Sequence, residues 1–253
     1  MKITDDLGTK IYIEREPQSI VSLVPSLTLT LADMGLGSRL TGVTRFCKYP
    51  EQVVKTIAKI GGPKNIDVNN ILNIKPDVVF AVKEENDKEQ VLELSKHMPV
   101  VVFDISNPDD AFRMMRTMGL IFNIEKKADE LVQQVAKAIN NFPLQGNQTK
   151  VVYLIWKKPW MAAGNETYIG SMLQAAGYNN IVSGRYPQIS RLQMENADTI
   201  LLATEPFHFK DADRQELQQI FPGKNIEIVN GELFTWYGTY LLGSYASNNT
   251  IIK

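Results

Sequence analysis

Side chains that move protons, hold metals or attack carbon are scarce in this sequence, while rings placed beside charges are not. Two residues of 253 are histidine and one is cysteine. No serine stands in G-x-S-x-G, no histidine pair in H-E-x-x-H, and no G-x-x-x-x-G-K-S/T loop is present to cradle phosphates. Gly35 and Gly37 lack the third glycine of a dinucleotide-binding turn. The neighbouring carboxylates Glu84 and Glu85 could serve proton transfer or a hard cation. At a helix start, such a pair is more simply read as hydrated and favoured by the helix dipole. Glu205 and His208 are spaced to share a metal, but His208 lies between Phe207 and Phe209, the setting of a packed ring. His97, near the end of a surface helix pattern, reads as structural. Cys47 has no second cysteine for a disulfide and reads as a small buried residue. No set of ligating residues has the spacing of a metal cluster, so no metal site is expected.

The rings fall in the polar stretches that follow apolar runs. Thr44 to Pro50, Gly61 to Asn65 and Lys83 to Asn86 are such stretches in the first half. Trp156 to Trp160, Gly184 to Pro187, Thr204 to His208 and Gly231 to Tyr237 are their counterparts in the second, and they hold all three tryptophans. Rings with charges of both signs suit a flat, partly charged ligand. Phe46, Trp156, Trp160, Trp236 and Tyr237 are expected to stack on it; the alternative reading is that such rings pack a contact between lobes. Arg45, Lys64, Lys83 and Arg185 are expected to meet its anionic groups, and Glu84, Glu85 and Glu205 its amides or cation. The Gly61-Gly62 turn adds backbone N–H groups that could face an anion.

Strands and helices alternate to carry these stretches. Ile20 to Val24, Asp77 to Val82, Val100 to Phe103, Val151 to Ile155, Thr199 to Leu202 and Ile226 to Val229 read as strands. Pro25 to Met34 and Asp87 to Lys96 read as helices, and 108–142 as a long helical stretch with a break near Asn123. This alternation marks parallel α/β sheets. The halves also repeat each other: LTLTLADMGLGSRLTG is matched by IGSMLQAAGYNNIVSG, and NIKPDVVFAVKEEN by MENADTILLATEPF. The expected fold is α/β, with two similar Rossmann-like lobes of parallel sheet joined by a long backbone helix. The lobes are placed at 1–106 and 147–253, with the connecting helical segment at 107–146. Ligands of such sheets sit beyond the carboxyl ends of the strands, where the rings and charges fall.

Composition narrows the function. Apolar residues make up 44% and charged residues 22%, the balance of an ordinary globular chain. Lys and Arg number 27 against 28 Asp and Glu, which argues against a nucleic-acid partner. The apolar stretch Ile20 to Leu36 is interrupted by Ser22, Pro25, Ser26, Thr28, Thr30 and Asp33 and is no membrane span. Asp5 and Asp6 fall where a secretory signal needs an apolar run. Read from these residues, the chain is expected to be cytoplasmic; a leader preceding Met1 would make it periplasmic or cell-surface.

IVSLVPSLTLTLADMGLGSRLTGVTRFCKYP, followed by KIGGPKNIDVNNILNIKPDVVFAVKEEN, resembles the helical-backbone substrate-binding proteins of ABC importers. These are receptors for vitamin B12, ferric siderophores and haem, and the cobalamin-binding branch is the closest in pattern. KPWMAAGNETYIGSMLQAAGYNNIV, RYPQIS and GELFTWYG extend the resemblance over nearly the whole chain. It implies a non-enzymatic receptor, with a metal chelate such as cobalamin clamped between two lobes, no covalent cofactor, and an ABC transporter permease as partner. Two departures stand out. Asn69 and Leu192 occupy the positions where such receptors carry docking glutamates, which implies weakened docking, with Asp67 and Glu195 nearby. Pro63 stands where the vitamin B12 receptor has a stacking tryptophan. An enzyme using Glu84, Glu85, Glu205 and His208, or an interaction module, are the alternative readings of the same scaffold.

Overall fold

Valine- and isoleucine-rich runs form strands here because both faces of each sheet are covered, so the runs need no polar side. The computed structural model describes residues 1–142 and 147–243. The described residues divide into two compact units, the first made of 1–105, 109–135 and 238–240, the second of 106–108, 136–142, 147–237 and 241–243. The ends of the expected connecting segment and second lobe, 143–146 and 244–253, lie outside the described residues.

In the first unit, β1 (Lys2–Thr4) and β2 (Lys10–Tyr12) form an antiparallel hairpin. β3 (Ile20–Ser22) is fully buried and leads into α1 (Pro25–Leu31), which opens on a proline, the residue that loses nothing at the first helical position. The helix widens over Ala32–Leu36 and stops where Gly35 takes φ 89°. There follow β4 (Leu40–Val43), α2 (Glu51–Val54), β5 (Ala58–Lys59) and the small hairpin β6 (Gly61–Gly62) with β7 (Asn65–Ile66). α3 (Val68–Ile74) is capped by Asp67, and α4 (Lys88–Ser95) by Asp87. Between and after these helices run β8 (Val78–Val82) and β9 (Val100–Phe103), buried at every residue. The sheet runs β5-β4-β3-β8-β9, and every pairing in it is parallel.

The expected break near Asn123 is present. α5 (Pro108–Ile121) and α6 (Glu125–Asn140) are two helices in succession, separated by Asn123 in the left-handed region at φ 54°. Gly119 lets them approach, since a Cβ there would stand 2.5 Å from that of Ala128. Residues 109–135 of this stretch group with the first unit. Arg113 on α5 forks onto Asp6 at 2.8 and 3.1 Å, and Asp6 also accepts from the Asp104 N–H at 3.0 Å, which ties the start of the chain to the end of β9.

The second unit holds β10 (Lys150–Trp156), β11 (Met161–Ala163), α7 (Tyr168–Ala175), β12 (Asn179–Asn180), α8 (Arg191–Glu195), β13 (Thr199–Ala203), α9 (Asp211–Ile220), β14 (Asn225–Val229) and α10 (Glu232–Thr235). Its sheet runs β11-β10-β13-β14, with β12 on the β11 side of β10. β10, β12, β13 and β14 pair in parallel. β11 is antiparallel to β10, so this sheet is mixed: the short Lys157–Trp160 turn cannot make the long crossover that a parallel neighbour requires. Val152, Leu154, Ile200, Leu202, Phe209 and Leu217 are in its core.

The two sheets share a plan. β3, α1, β4 and then β8, α4, β9 correspond in order to β10, α7, β12 and then β13, α9, β14. In each, the strand order reverses beside the first strand, between β3 and β8 or between β10 and β13. The repeated sequence segments fall on these matching elements.

Residues 238–240 return to the first unit. Tyr240 is fully buried there, 6.4 Å from the Tyr49 ring, and Thr239 N–H donates to Thr30 Oγ1 at 3.4 Å. Gly238 sits at φ 71°, and a Cβ on it would press into Thr30 Oγ1, a buried hydroxyl already bound to the Ser26 carbonyl at 2.8 Å. Gly238→Ala is therefore expected to cost about 2 kcal/mol or more in chemical denaturation. Gly8→Ala, at φ 80° with nothing within 4 Å, carries only the backbone strain of about 1 kcal/mol.

Candidate functional site

A buried parallel strand keeps its polar chemistry at its ends, and a ligand crevice opens at the carboxyl end where strand order reverses. In the first unit these ends are Leu23, Thr44 to Cys47 and Lys83 to Asn86, with the β6–β7 hairpin packed against them. Cys47 is buried between the hydroxyls of Thr28 at 3.1 Å and Thr44 at 3.2 Å, and burial raises its thiol pKa. It anchors the loop as a small core residue, in keeping with its sequence reading. The two residues before it point the other way. Phe46 is 55% exposed, and the Arg45 guanidinium lies 5.2 Å from its ring centre. Arg45 N–H donates to the Gly61 carbonyl at 2.9 Å.

The double glycine has a steric role. Gly61 takes φ 92°, and a Cβ on it would meet the Asn65 carbonyl at 2.4 Å, so the hairpin closes only with glycine there. A Cβ on Gly62 would touch the Phe46 ring at 3.1 Å. The glycines thus let backbone, ring and guanidinium lie together. Lys64 Nζ donates to the Glu84 carbonyl at 2.6 Å, and Lys83 is ion-paired with Asp104 at 2.5 Å. Much of the Lys83 charge is thereby compensated locally, whereas Lys64 and Arg45 make contacts to neutral groups. Glu84 and Glu85 are half-buried in the same loop.

In the second unit the rings form a row. Trp156, the last residue of β10, is 44% exposed and meets Phe207 edge-on at 5.4 Å. Phe207 meets Phe209 at 4.7 Å, and Trp160 stacks on Phe209 at 6.3 Å. Trp160 and Phe207 both pack on the core, so of the two tryptophans flanking this turn it is Trp156 that offers a free face. Trp236 and Tyr237 are buried; the Trp236 N–H donates to Glu205 at 3.2 Å, and Tyr237 meets Tyr168 edge-on at 5.6 Å. As they stand, these two rings support the loops. Arg185 donates through Nη1 to the Ser106 hydroxyl and the Glu166 carbonyl, both at 3.1 Å. Tyr153, beneath these loops, is completely buried, and burial with the nearby Glu205 charge drives its hydroxyl pKa far up. His208 Nδ1 is 3.2 Å from the Thr204 carbonyl, and His97 is paired with Glu93 at 3.3 Å on the helix surface.

Sequence reasoning passed over two residues. Phe207 bridges the aromatic row, and Asn86 binds three backbone groups of the first unit. Nothing in composition or spacing marks either one, because each depends on partners far along the chain, Trp156 for Phe207 and Leu23 and Pro63 for Asn86. At the other end of the second sheet, Lys150, Ile181, Val182, Gln193 and Asn196 line a cavity of about 240 Å³ that none of the expected ligand contacts reaches. Asn69 on α3 and Leu192 on α8 are exposed, Leu192 by 65%. Their acidic neighbours are engaged: Asp67 accepts from Asn70 N–H at 3.0 Å, and Glu195 from Arg191 at 2.9 Å.

Residues 20–221 match the family of periplasmic binding proteins. The chain is 27% identical over 189 residues to an uncharacterised ABC transporter substrate-binding lipoprotein, YvrC, of Bacillus subtilis, covering 70% of this chain and 60% of that protein. It is 24% identical over 237 residues to the vitamin B12-binding protein of Pectobacterium carotovorum, covering 89% of this chain and 85% of that one. Among solved structures it resembles a possible iron-binding, periplasmic solute-binding protein of Staphylococcus epidermidis. The TM-score is 0.73 at 24% identity, over 86% of this chain and 92% of the other. The cytoplasmic expectation finds no support among these relatives, one of which is a lipoprotein. It rested on the first residues alone, and those do not report what precedes them. No helix among the described residues is long and apolar enough to cross a membrane.

Lys157 holds the turn after Trp156 to α9, reaching Asp213 at 2.5 Å and Glu216 at 2.8 Å. Its bonds to Asp213 and then Glu216 raise its pKa. Burial works to raise the pKa of Asp213, but the hydrogen bonds from Lys157 and the Lys210 N–H outweigh it and hold that carboxyl below its ordinary range. A depressed carboxylate pKa stabilises above the unfolded value and loses that effect as pH falls through the folded one; a raised lysine pKa does the reverse at the alkaline end. Lys157→Met is therefore expected to lower the thermal midpoint between the ordinary values of 3.8 and 10.5. The difference from the parent should shrink below the acid limit, and scanning calorimetry across pH checks both.

Proposed function

The chain belongs to the periplasmic binding protein family, and we propose that it is the substrate-binding component of an ABC importer for a metal chelate, with cobalamin the first candidate. The observation that carries the reading is an exposed ring at the carboxyl end of each sheet. Phe46 stands beside Arg45 in one unit, and Trp156 sits at the head of an aromatic row in the other. A stacked ring gives a planar macrocycle a large apolar contact at low entropic cost, because only two side-chain torsions are frozen. Arg45 and Lys64 are the cations we assign to acidic or amide groups at its rim.

The reading is supported by relatives named for vitamin B12 binding and for ABC-transporter substrate binding. It makes the protein a receptor without turnover, held outside the cytoplasmic membrane, that passes its ligand to a permease. Within the second unit, Glu205 receives the Trp236 N–H and His208 lies on a backbone carbonyl, arrangements that support loops rather than a reaction. The exposed Asn69 and Leu192 leave docking to contacts other than two surface glutamates.

Titration with cyanocobalamin, haemin and ferric hydroxamate or catecholate siderophores, followed by tryptophan fluorescence, tests this. One chelate should quench saturably. Trp156→Ala should weaken it by about fivefold and remove most of the signal, since stacking contributes on the order of 1 kcal/mol. Trp160→Ala should act mainly on stability. Absence of saturable quenching by every chelate would overturn the reading.

A further inference from the structure

Asn86 is buried, with 5% of its surface exposed, at the first residue past the loop that ends β8. Its carboxamide faces three backbone groups from three places in the chain. Oδ1 accepts the Val82 N–H at 2.8 Å, at the end of β8 itself. Nδ2 donates to the Leu23 carbonyl at 3.3 Å, just past the central strand β3, and to the Pro63 carbonyl at 3.1 Å, in the turn of the β6–β7 hairpin. Only a carboxamide offers an acceptor and two donors in this compass. Aspartate would turn carboxylate oxygens on two carbonyls, and an apolar residue would leave three backbone groups without their partner.

The three anchored points are also linked to the residues assigned to the ligand. Pro63 is followed by Lys64, whose ammonium reaches back to the Glu84 carbonyl at 2.6 Å. Gly61, on the same hairpin, accepts from the Arg45 N–H at 2.9 Å, and Gly62 lies against the Phe46 ring. The far side of the hairpin is fixed to α4, where Gln90 Oε1 accepts the Ile66 N–H at 3.1 Å. Arg45, Phe46 and Lys64 thus hang on one hydrogen-bonded block whose central group is Asn86.

We propose that Asn86 is a positioning residue for ligand binding, holding Arg45, Phe46 and Lys64 in a single arrangement before the ligand arrives. It touches none of the ligand's atoms. It acts by removing the loop ordering that binding would otherwise require. The ligand part of this inference rests on the function proposed above; the loop part does not. The second unit has no counterpart amide, since Phe207 occupies the matching place in the repeated segment, and there Thr204 Oγ1 accepts the Gly231 N–H at 2.9 Å instead.

The test uses the whole chain carrying Phe46→Trp and labelled with 5-fluorotryptophan, which gives one fluorine resonance from position 46 beside those of Trp156, Trp160 and Trp236. Adding Asn86→Ala should shift or broaden the position 46 resonance and leave the other three in place. A general loss of structure would move all four. An unmoved resonance at position 46 overturns the proposal. Should Asn86→Ala fail to fold, native-state hydrogen exchange on the unaltered chain decides. The amides of Val82, Arg45 and Ile66 should open together with one free energy, and independent openings overturn the idea. In the unlabelled parent background, Asn86→Ala should also raise the cyanocobalamin Kd about tenfold. If the parent chain binds no chelate, the functional reading fails while the fluorine and exchange results still judge the loop block.

Discussion

A parallel sheet covered on both faces has only its ends left for polar chemistry. In this protein β8 and β13 are buried at every residue, so each sheet's hydrogen-bonding and charged groups are concentrated in the loops beyond the strands. Those loops must satisfy their own backbone groups without a ladder to do it for them. The molecule meets this constraint differently in its two units. The first uses a buried amide, Asn86, with a double glycine that lets a ring and a guanidinium lie on the backbone. The second uses a hydroxyl, Thr204, with an indole–carboxylate bond from Trp236 to Glu205 and a row of rings ending at Trp156. Each solution leaves one ring well exposed, Phe46 or Trp156, and covers the others wholly or in part.

This division of labour separates groups that hold the loops from groups that face outward. Lys83, Trp160, Trp236 and Tyr237 have a residue type suited to binding, but each is engaged: Lys83 with Asp104, Trp160 on Phe209, Trp236 with Glu205 and Tyr237 against Tyr168. Arg45, Phe46, Lys64 and Trp156 keep a face or a charge turned outward. Within the first unit, the hydrogen bonds that fix the hairpin beside Arg45, Phe46 and Lys64 leave these three groups little ordering to lose on contact with a ligand. Gly61 and Gly62 serve the same arrangement sterically, since a Cβ on them would meet the Asn65 carbonyl and the Phe46 ring.

The amino-acid sequence by itself determined the kind of fold. Apolar runs of strand length alternating with amphipathic stretches permit little else, and the helical break at Asn123 and the repeated segments were legible because they are local patterns. Cys47 as an inert core residue was equally legible, since its type and lack of a partner already argue for burial. Where the polar loops fall relative to the strands also follows from chain order. What only the tertiary structure decided was the use of each loop residue. Side-chain type cannot tell Trp156 from Trp160, because the difference is whether Phe209, far along the chain, covers the ring. Nor can it mark Asn86, whose three partners lie 4, 63 and 23 residues away. The same holds for β11, whose antiparallel course depends on a short turn closing against β10, and for the return of residues 238–240 to the first unit. Most of these contacts join distant points of the chain, and even the short turn before β11 is set by pairing geometry; periodicity carries no information about either.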